Sequence, residues 1–137
     1  AIENGMPSVA ECGGFMYLHE SMTDEEGENW PMAGVIAGNC HNRGKLVRFG
    51  HVNVTEQPSH FLAGKPVRAH EFHYYDSDNN GESCVAVKSV SGTSWTCIHE
   101  DDRNWWGYPH LYYPSNPAFV EHFVQAARLY HRERNAK

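Results

Sequence analysis

The sequence has little positive charge for its size, and this shortage excludes one class of function. Its 137 residues include 11 lysines and arginines against 17 aspartates and glutamates, which gives a formal net charge of −6. A nucleic-acid-binding surface needs a basic face to meet phosphates. The charge balance therefore argues against a nucleic-acid partner.

Long apolar runs are also missing. None approaches the roughly 20 residues that a membrane-spanning helix needs, and the amino end lacks the charged-then-apolar layout of a signal peptide. Four scattered cysteines could pair in three ways, but without a secretion signal we expect reduced thiols in a cytoplasmic protein with no membrane partner. These cysteines are Cys12, Cys40, Cys84 and Cys97.

Metal-binding spacing is absent as well, although the chain has ten histidines. The closest pair of interest, His70-x-x-His73, would place its two rings on opposite faces of a strand. No C-x-x-C pair accompanies the histidines. We therefore predict no metal site.

Apolar and turn patterns predict a series of strands with two helices. The first helix is predicted over 13–22, and the polar segment 76–83 predicts a hairpin turn. The second helix is predicted to begin after Asn116, which can cap it, with Pro117 at the first helical position. Its predicted apolar face consists of Ala118, Val120, Phe123, Val124, Ala127 and Tyr130. The predicted strands are 7–11, 32–38, 45–54, 66–75, 84–90 and 94–99, and 107–113 is predicted to be extended.

Cys12 lies where the first predicted strand turns into the first predicted helix, and Gly13 and Gly14 follow it at once. At such a turn the helix dipole favours a thiolate, and the next backbone N–H groups can hold an oxyanion. Glycines there would remove Cβ atoms that clash in a sharp turn. The pattern predicts a nucleophile, with a buried structural cysteine as the alternative.

Four blocks resemble, in the same order, the corrinoid-type class I glutamine amidotransferases, in particular the cobyrinic acid a,c-diamide synthases. This resemblance implies an α/β fold, namely part of a flavodoxin-like amidotransferase domain with a mixed sheet and flanking helices, truncated at its N-terminal side. Residues 1–137 would form the C-terminal part of that domain, with no second domain. The blocks are PSVAECGGFMYL, WPMAGVIAG, RAHEFHY and GYPHLYYPSNPAFVEHF.

The resemblance also implies catalytic roles. In such enzymes a cysteine attacks the side-chain amide of glutamine, a γ-glutamyl thioester forms, and ammonia leaves. Cys12 matches the nucleophile, and His110 matches the histidine that takes the thiol proton and returns it to ammonia. Gly13 and Gly14 match the elbow and its oxyanion donors. A structural histidine within an aromatic cluster is the alternative for His110.

The group that orients His110 stays open at this point. Many class I amidotransferases carry a glutamate two residues after the histidine, where this chain has Tyr112. Arg68, Glu71 and His73 are candidates for substrate binding. Arg68 could bind a carboxylate bidentately and so contact glutamine or its docking loop, and Glu71 or His73 could instead orient His110. A hydrogen-bonded strand ladder beneath the site is an equal alternative for these three residues.

The function implied by the resemblance is that of a glutamine-dependent amidoligase. This chain would supply ammonia to an ATP-dependent cobyrinic acid a,c-diamide synthase in cobalamin biosynthesis. It has no G-x-x-x-x-G-K-[ST] loop and would carry no cofactor. ATP and Mg²⁺ are expected in the amino-terminal synthetase domain of the parent enzyme, its partner besides glutamine.

The first residue, Ala1, indicates a cut inside a larger protein. Glutaminase activity of the isolated chain is then expected to be weak or absent, because losing one oxyanion donor costs on the order of a hundredfold. A truncated sheet would also expose an edge and favour a homodimer. Two other functions stay open, namely an amidotransferase for another carboxylic acid and a catalytically degenerate domain used for binding or assembly.

Overall fold

The computed structural model describes residues 1–57 and 60–136. Within these ranges the chain forms three β-sheets and two α-helices, so the predicted α/β class with mixed sheets is confirmed. The helices are α1 (Gly13–Tyr17) and α2 (Ala118–Asn135), and single 3-10 turns cover Ile2–Asn4 and Tyr113–Ser115. The strands are β1 (Ser8–Glu11), β2 (His19–Thr23), β3 (Asn29–Pro31), β4 (Ile36–Asn42), β5 (Arg48–Glu56), β6 (Val67–His73), β7 (Tyr75–Ser77), β8 (Cys84–Lys88), β9 (Ser94–Cys97), β10 (His99–Glu100), β11 (Asn104–Gly107) and β12 (His110–Leu111).

The three sheets differ in size and direction. The first has the strand order β1-β11-β10, with β1 parallel to β11 and β10 antiparallel to it. The second is antiparallel throughout, in the order β12-β6-β5-β8-β9. The third, β3-β2-β4-β7, has one parallel pair between β2 and β4.

The main core packs one face of the five-stranded sheet against aromatic side chains from other elements. Alternation along β5 turns Val52 and Val54 inward and leaves His51 exposed, as the two-residue period of a strand requires. Phe61, Trp105 and Phe119 form an aromatic cluster with ring centroids 5.0–5.8 Å apart. A second core lies beneath Cys12 and contains Phe15, Leu18, Ile36 and Tyr108.

The first helix is much shorter than its predicted range of 13–22. It ends at Tyr17, and β2 begins at His19, whose ring is fully buried. The His19 ring bonds the Phe15 carbonyl at 3.0 Å and the Ser77 hydroxyl at 2.7 Å, and the chain then pairs with β4. These tertiary contacts override the helical pattern of the apolar residues.

The predicted hairpin over 76–83 does not form. The predicted strand 66–75 divides into β6 and β7, which join different sheets, and β8 pairs with β5 and β9 instead. The break follows His73, whose Nδ1 bonds the Tyr75 carbonyl at 2.7 Å. The segment 78–83 therefore carries the chain from one sheet to another, which local turn chemistry does not reveal.

The second helix is confirmed in extent, but its apolar face is only partly the predicted one, since Phe123 packs against the main core while other predicted members are exposed. The Asn116 side chain accepts the Ala118 N–H at 3.2 Å, as a capping residue does. The buried positions of α2 are Phe119 and Ala126, whereas Val120 and Val124 are exposed. The apolar residues of α2 lie on all sides of the helix, so their spacing in the sequence does not identify the side that packs against the core. Among the helices of the described ranges, none has both the length and the apolar character to cross a membrane.

Two glycines with similar backbone angles provide a test of packing near Ile98. Gly81 has φ +78° and Gly92 has φ +72°. A Cβ on Gly81 would overlap the backbone of Ile98, which itself has φ +70° between β9 and β10, whereas a Cβ on Gly92 would meet no heavy atom of the described chain within 4 Å.

We predict that Gly81→Ala destabilises the protein far more than Gly92→Ala. Both variants carry the left-handed strain of about 1–2 kcal/mol, and only Gly81→Ala adds an overlap that costs about 1–3 kcal/mol more. Chemical denaturation of the two variants measures the difference. Equal losses would contradict this packing around Ile98.

A buried carboxyl group makes stability depend on pH. The Glu100 side chain is only 1% exposed, accepts the Phe61 N–H at 3.0 Å and lies 3.6 Å from the Cys84 sulfur. Burial, together with a hydrogen bond that protonated Glu100 donates to neighbouring Glu56, raises the pKa of Glu100 to about 8. Glu56 in turn accepts the Leu62 N–H at 2.8 Å. The pair holds the segment that places Phe61 in the core.

We predict that the Glu100 contribution to stability falls as pH rises from about 4.5 to about 8. In this window the unfolded chain has released the Glu100 proton and the folded chain still holds it, so raising the pH favours unfolding. The free energy of unfolding of the wild type minus that of Glu100→Gln should therefore decline across the window. The exposed Glu82→Gln variant is the control, and a flat difference for Glu100→Gln would contradict the assignment.

Candidate functional site

Cys12 occupies the turn between β1 and α1, as the sequence predicts. Its backbone angles, φ 47° and ψ −108°, are rare for a residue with a side chain. The Cys12 N–H donates to the Gly107 carbonyl at 2.9 Å, and the Cys12 carbonyl accepts the Met16 N–H at 2.9 Å. Bonds on both sides of the residue hold it in this strained conformation.

The two glycines after Cys12 are not required by crowding among the described residues. A Cβ on Gly13 would meet no heavy atom of those residues within 4 Å, and one on Gly14 would make an ordinary 3.7 Å contact with Ala10. The expectation that they relieve a clash is therefore wrong, because the strain lies at Cys12 itself. Both glycines are exposed, so their side of the turn is open where a substrate would approach.

The Cys12 thiol is neutral at rest, contrary to the expectation from a helix dipole. Burial raises the pKa of Cys12, one hydrogen bond from the Gly13 backbone lowers it, and the charges of Glu71 and Glu11 raise it further. Since α1 has only five residues, its dipole is small. A base is therefore needed to generate the thiolate.

His110 reaches the same edge of the structure through strand pairing. The parallel register of β1 and β11 sets Glu11 opposite Gly107, so both strands end together. β12 then pairs with β6, His110 opposite His70, and leaves the His110 side chain 49% exposed. Its Nδ1 lies 3.7 Å from Glu11 Oε2. Between the described atoms of Cys12 and His110, no hydrogen bond is formed.

Glu71 and His73, the two residues considered for orienting His110, lie elsewhere. Both side chains are buried, and His73 Nε2 is 3.3 Å from Glu71 Oε2. The His73 ring stacks on Tyr108 with centroids 3.8 Å apart. Within the described ranges neither residue bonds His110, because His110 pairs with His70 and the next residue of β6 points to the opposite face. Glu71 acts on the site through its charge on the Cys12 thiol.

Arg68 does lie near His110. Both residues line a cleft of about 350 Å³, and the Arg68 guanidinium lies over the Tyr112 ring at 5.2 Å from its centroid. The Tyr112 N–H also donates to the Arg68 carbonyl at 2.8 Å, which ties the His110 segment to β6. The remaining lining residues are His51, Ala69, His70 and Leu111.

Sequence reasoning missed two residues of this site, Glu11 and Tyr113. The Tyr113 hydroxyl donates to Glu11 Oε1 at 2.6 Å, and burial raises the pKa of Tyr113, as does this bond. The available signal for Glu11 was its position directly before Cys12. Nothing in the spacing indicates Tyr113, since three tyrosines surround His110.

A small cavity of about 30 Å³, large enough to hold ordered water, lies beside the Glu71–His73 pair. Its polar lining includes Arg48 and Asp76. In residues 1–57 and 60–136, no group of three or more histidines, cysteines or carboxylates is placed to hold a metal ion.

Comparison with known proteins gives a consistent family. The CobB/CobQ-like glutamine amidotransferase domain family matches residues 1–118. A cobyrinate a,c-diamide synthase of Salmonella typhimurium is 32% identical over 134 residues, which cover 93% of this chain and 29% of that protein. For the same enzyme of Caldanaerobacter subterraneus subsp. tengcongensis, the identity is 36% over 107 residues, covering 74% of this chain and 24% of that protein.

A third relative, the cobyrinate a,c-diamide synthase of Priestia megaterium, is 30% identical over 138 residues, covering 98% of this chain and 30% of that protein. The chain thus spans less than a third of the length of these curated relatives. The family match includes both the Cys12 turn and the His110 segment. This chain therefore belongs to the family of CobB/CobQ-like glutamine amidotransferase domains.

Proposed function

We propose that this chain is the part of a larger enzyme that hydrolyses glutamine through a Cys12 thioester and supplies the ammonia that amidates the a and c side chains of cobyrinate, with weak or no glutaminase activity when isolated. The observation that supports the proposal is the placement of Cys12 on a strained turn, with the His110 ring 3.7 Å from the carboxylate of the preceding residue, Glu11. Membership of a glutamine amidotransferase family gives this geometry its chemical interpretation.

The first half of the reaction forms the thioester. His110 takes the proton of the neutral Cys12 thiol as sulfur attacks the side-chain carbonyl carbon of glutamine. The oxyanion that develops faces the N–H groups at Gly13 and Gly14. The C–N bond then breaks, and the His110 imidazolium gives its proton to the leaving nitrogen, which departs as ammonia.

The second half of the reaction restores the enzyme. Water attacks the thioester carbon, and His110 accepts a proton from that water. The C–S bond breaks, glutamate leaves, and the thiolate recovers its proton from the imidazolium. Glutamine and water are thereby converted to glutamate and ammonia, with Cys12 and His110 unchanged.

Arg68 is the residue we assign to the α-carboxylate of glutamine. It shares its cleft with His110, and the cleft volume of about 350 Å³ falls within the usual range for small-molecule sites, about 300–1,000 Å³. A guanidinium can hold a carboxylate through two parallel hydrogen bonds. In this role Arg68 would hold glutamine beside His110.

The ammonia is proposed to pass to an ATP-dependent synthetase unit. The relatives of known name are cobyrinate a,c-diamide synthases about three times as long as the matched region. ATP and Mg²⁺ would act in that unit on the carboxylates, within cobalamin biosynthesis. A cytoplasmic location fits the four unpaired cysteines. The exposed Val120 and Val124 of α2 offer a surface for that unit or for a homodimer.

A second candidate function is binding or assembly without catalysis. It is favoured by the raised pKa of the Cys12 thiol and by the lack of a hydrogen bond between the described atoms of Cys12 and His110. An amidotransferase for another carboxylic acid would share the glutaminase chemistry. Product analysis with the intact enzyme separates that case from cobyrinate amidation.

We predict that iodoacetamide modifies Cys12 first and that its rate rises with pH up to and beyond pH 9. Cys12 is partly exposed and the other three thiols are buried, and its pKa lies above the ordinary value of 9.0. The thiolate fraction therefore increases about tenfold per pH unit below the pKa. Peptide mapping by mass spectrometry measures the order, with Cys12→Ser as the control. A rate that levels off below pH 8 would refute the raised pKa.

We predict that a glutamine-analogue electrophile, 6-diazo-5-oxonorleucine, labels Cys12 selectively and saturably, with protection by glutamine. His110→Gln should lower the maximal labelling rate by about a hundredfold or more, because a general base is lost. Arg68→Gln should mainly raise the half-saturating concentration. The distant Arg43→Gln variant is the control. Equal labelling of all four cysteines, or no effect of His110→Gln, would favour the non-catalytic function.

A further inference from the structure

Glu11 stands directly before Cys12, and its carboxylate contacts the segment that carries His110. Oε1 accepts the Tyr113 hydroxyl at 2.6 Å and the Leu111 N–H at 3.4 Å. Oε2 faces His110 Nδ1 at 3.7 Å. One carboxylate therefore contacts three residues of the histidine segment, and its two oxygens have separate partners.

Because Oε1 accepts both hydrogen bonds, from the Tyr113 hydroxyl and the Leu111 N–H, Oε2 is available to the His110 imidazole. Burial and the Glu11 bond raise the pKa of Tyr113, so its hydroxyl remains a proton donor to Oε1. In the described ranges, the ion-pair contact of Glu11 is with His110 alone. With 19% of its side chain exposed, Glu11 is partly shielded from water, which strengthens its electrostatic effect on a neighbouring imidazolium.

We propose that Glu11 is the positioning residue for His110. Its Oε2 holds the Nδ1–H form of the ring, which leaves Nε2 unprotonated and free to accept the Cys12 proton, and it stabilises the imidazolium that results. The proposal rests on the proposed glutaminase function, in which His110 is the base. Many class I amidotransferases carry the orienting glutamate at the position of Tyr112. In this chain the orienting carboxylate comes instead from Glu11, the residue before the nucleophile.

The negative charge of Glu11 has opposite effects on the two groups that exchange the proton, the Cys12 thiol and the His110 ring. Its negative charge raises the pKa of the Cys12 thiol, which by itself disfavours the thiolate. When the proton moves to His110, the same charge faces a cation, so the product state of the transfer gains stability. At 3.7 Å the contact is longer than a hydrogen bond, and such catalytic contacts tighten when substrate binds.

The test combines kinetics with a measurement that does not depend on activity. Glu11→Gln and Tyr113→Phe are compared with Glu3→Gln, an exposed glutamate on the first turn, and with Glu11→Asp as a conservative rescue. Saturation labelling by 6-diazo-5-oxonorleucine separates the maximal rate from half-saturation. Nitrogen-15 NMR of the His110 ring reports which ring nitrogen carries the proton.

Glu11→Gln is expected to lower the maximal labelling rate by about tenfold or more, with little change in half-saturation, and to shift His110 away from the Nδ1–H form. Tyr113→Phe should do both to a smaller extent, and Glu11→Asp should recover part of the rate. Circular dichroism establishes folding, and if Glu11→Gln does not fold, Tyr113→Phe decides the question by the same two readouts.

The variants separate the positioning role of Glu11 from the proposed glutaminase function on which it rests. If His110→Gln leaves labelling unchanged, the proposed function itself fails. If His110→Gln slows labelling but Glu11→Gln changes neither the maximal rate nor the ring tautomer, only the role of Glu11 is overturned. A rise in half-saturation alone would place Glu11 in substrate binding and would also overturn the positioning role.

Discussion

The parallel pairing of β1 with β11 is the constraint on which the candidate site depends. Its last bond joins the Cys12 N–H to the Gly107 carbonyl and fixes the first half of the turn. Because β11 ends at the same level, the chain needs only Tyr108 and Pro109 to reach His110. Without this pairing neither the backbone of Cys12 nor the path of the histidine segment would be determined.

Electrostatics around the thiol favour a neutral resting state. Burial and the carboxylates of Glu11 and Glu71 act in the same direction on the pKa of Cys12, and a single backbone N–H opposes them. A site of this kind holds the sulfur unreactive until a base is in position. The buried stack of His73 on Tyr108 supports the turn from below and connects it with the five-stranded sheet.

Prediction from the sequence succeeded where a signal was local. The turn at Cys12 and the helix after Asn116 follow from short-range patterns that the structure bears out. It failed where distant contacts decided the outcome. Burial of His19 ends the first helix early. β6 and β7 follow each other closely in the chain and are separate strands because they pair with different sheets. The contact between Glu11 and Tyr113 joins residues far apart in the chain, which a single sequence cannot indicate.

The adjacency of Glu11 and Cys12 has a consequence for dissecting the molecule. A backbone break between Gly13 and Arg103 leaves the sulfur and its neighbouring acid together on one fragment and the imidazole, with β11, on the other. Reassembly of two such fragments would depend on re-forming the β1–β11 ladder and the Tyr113 contact. Recovery of thiol reactivity on mixing would then serve as a gauge of how strongly the two halves attract each other.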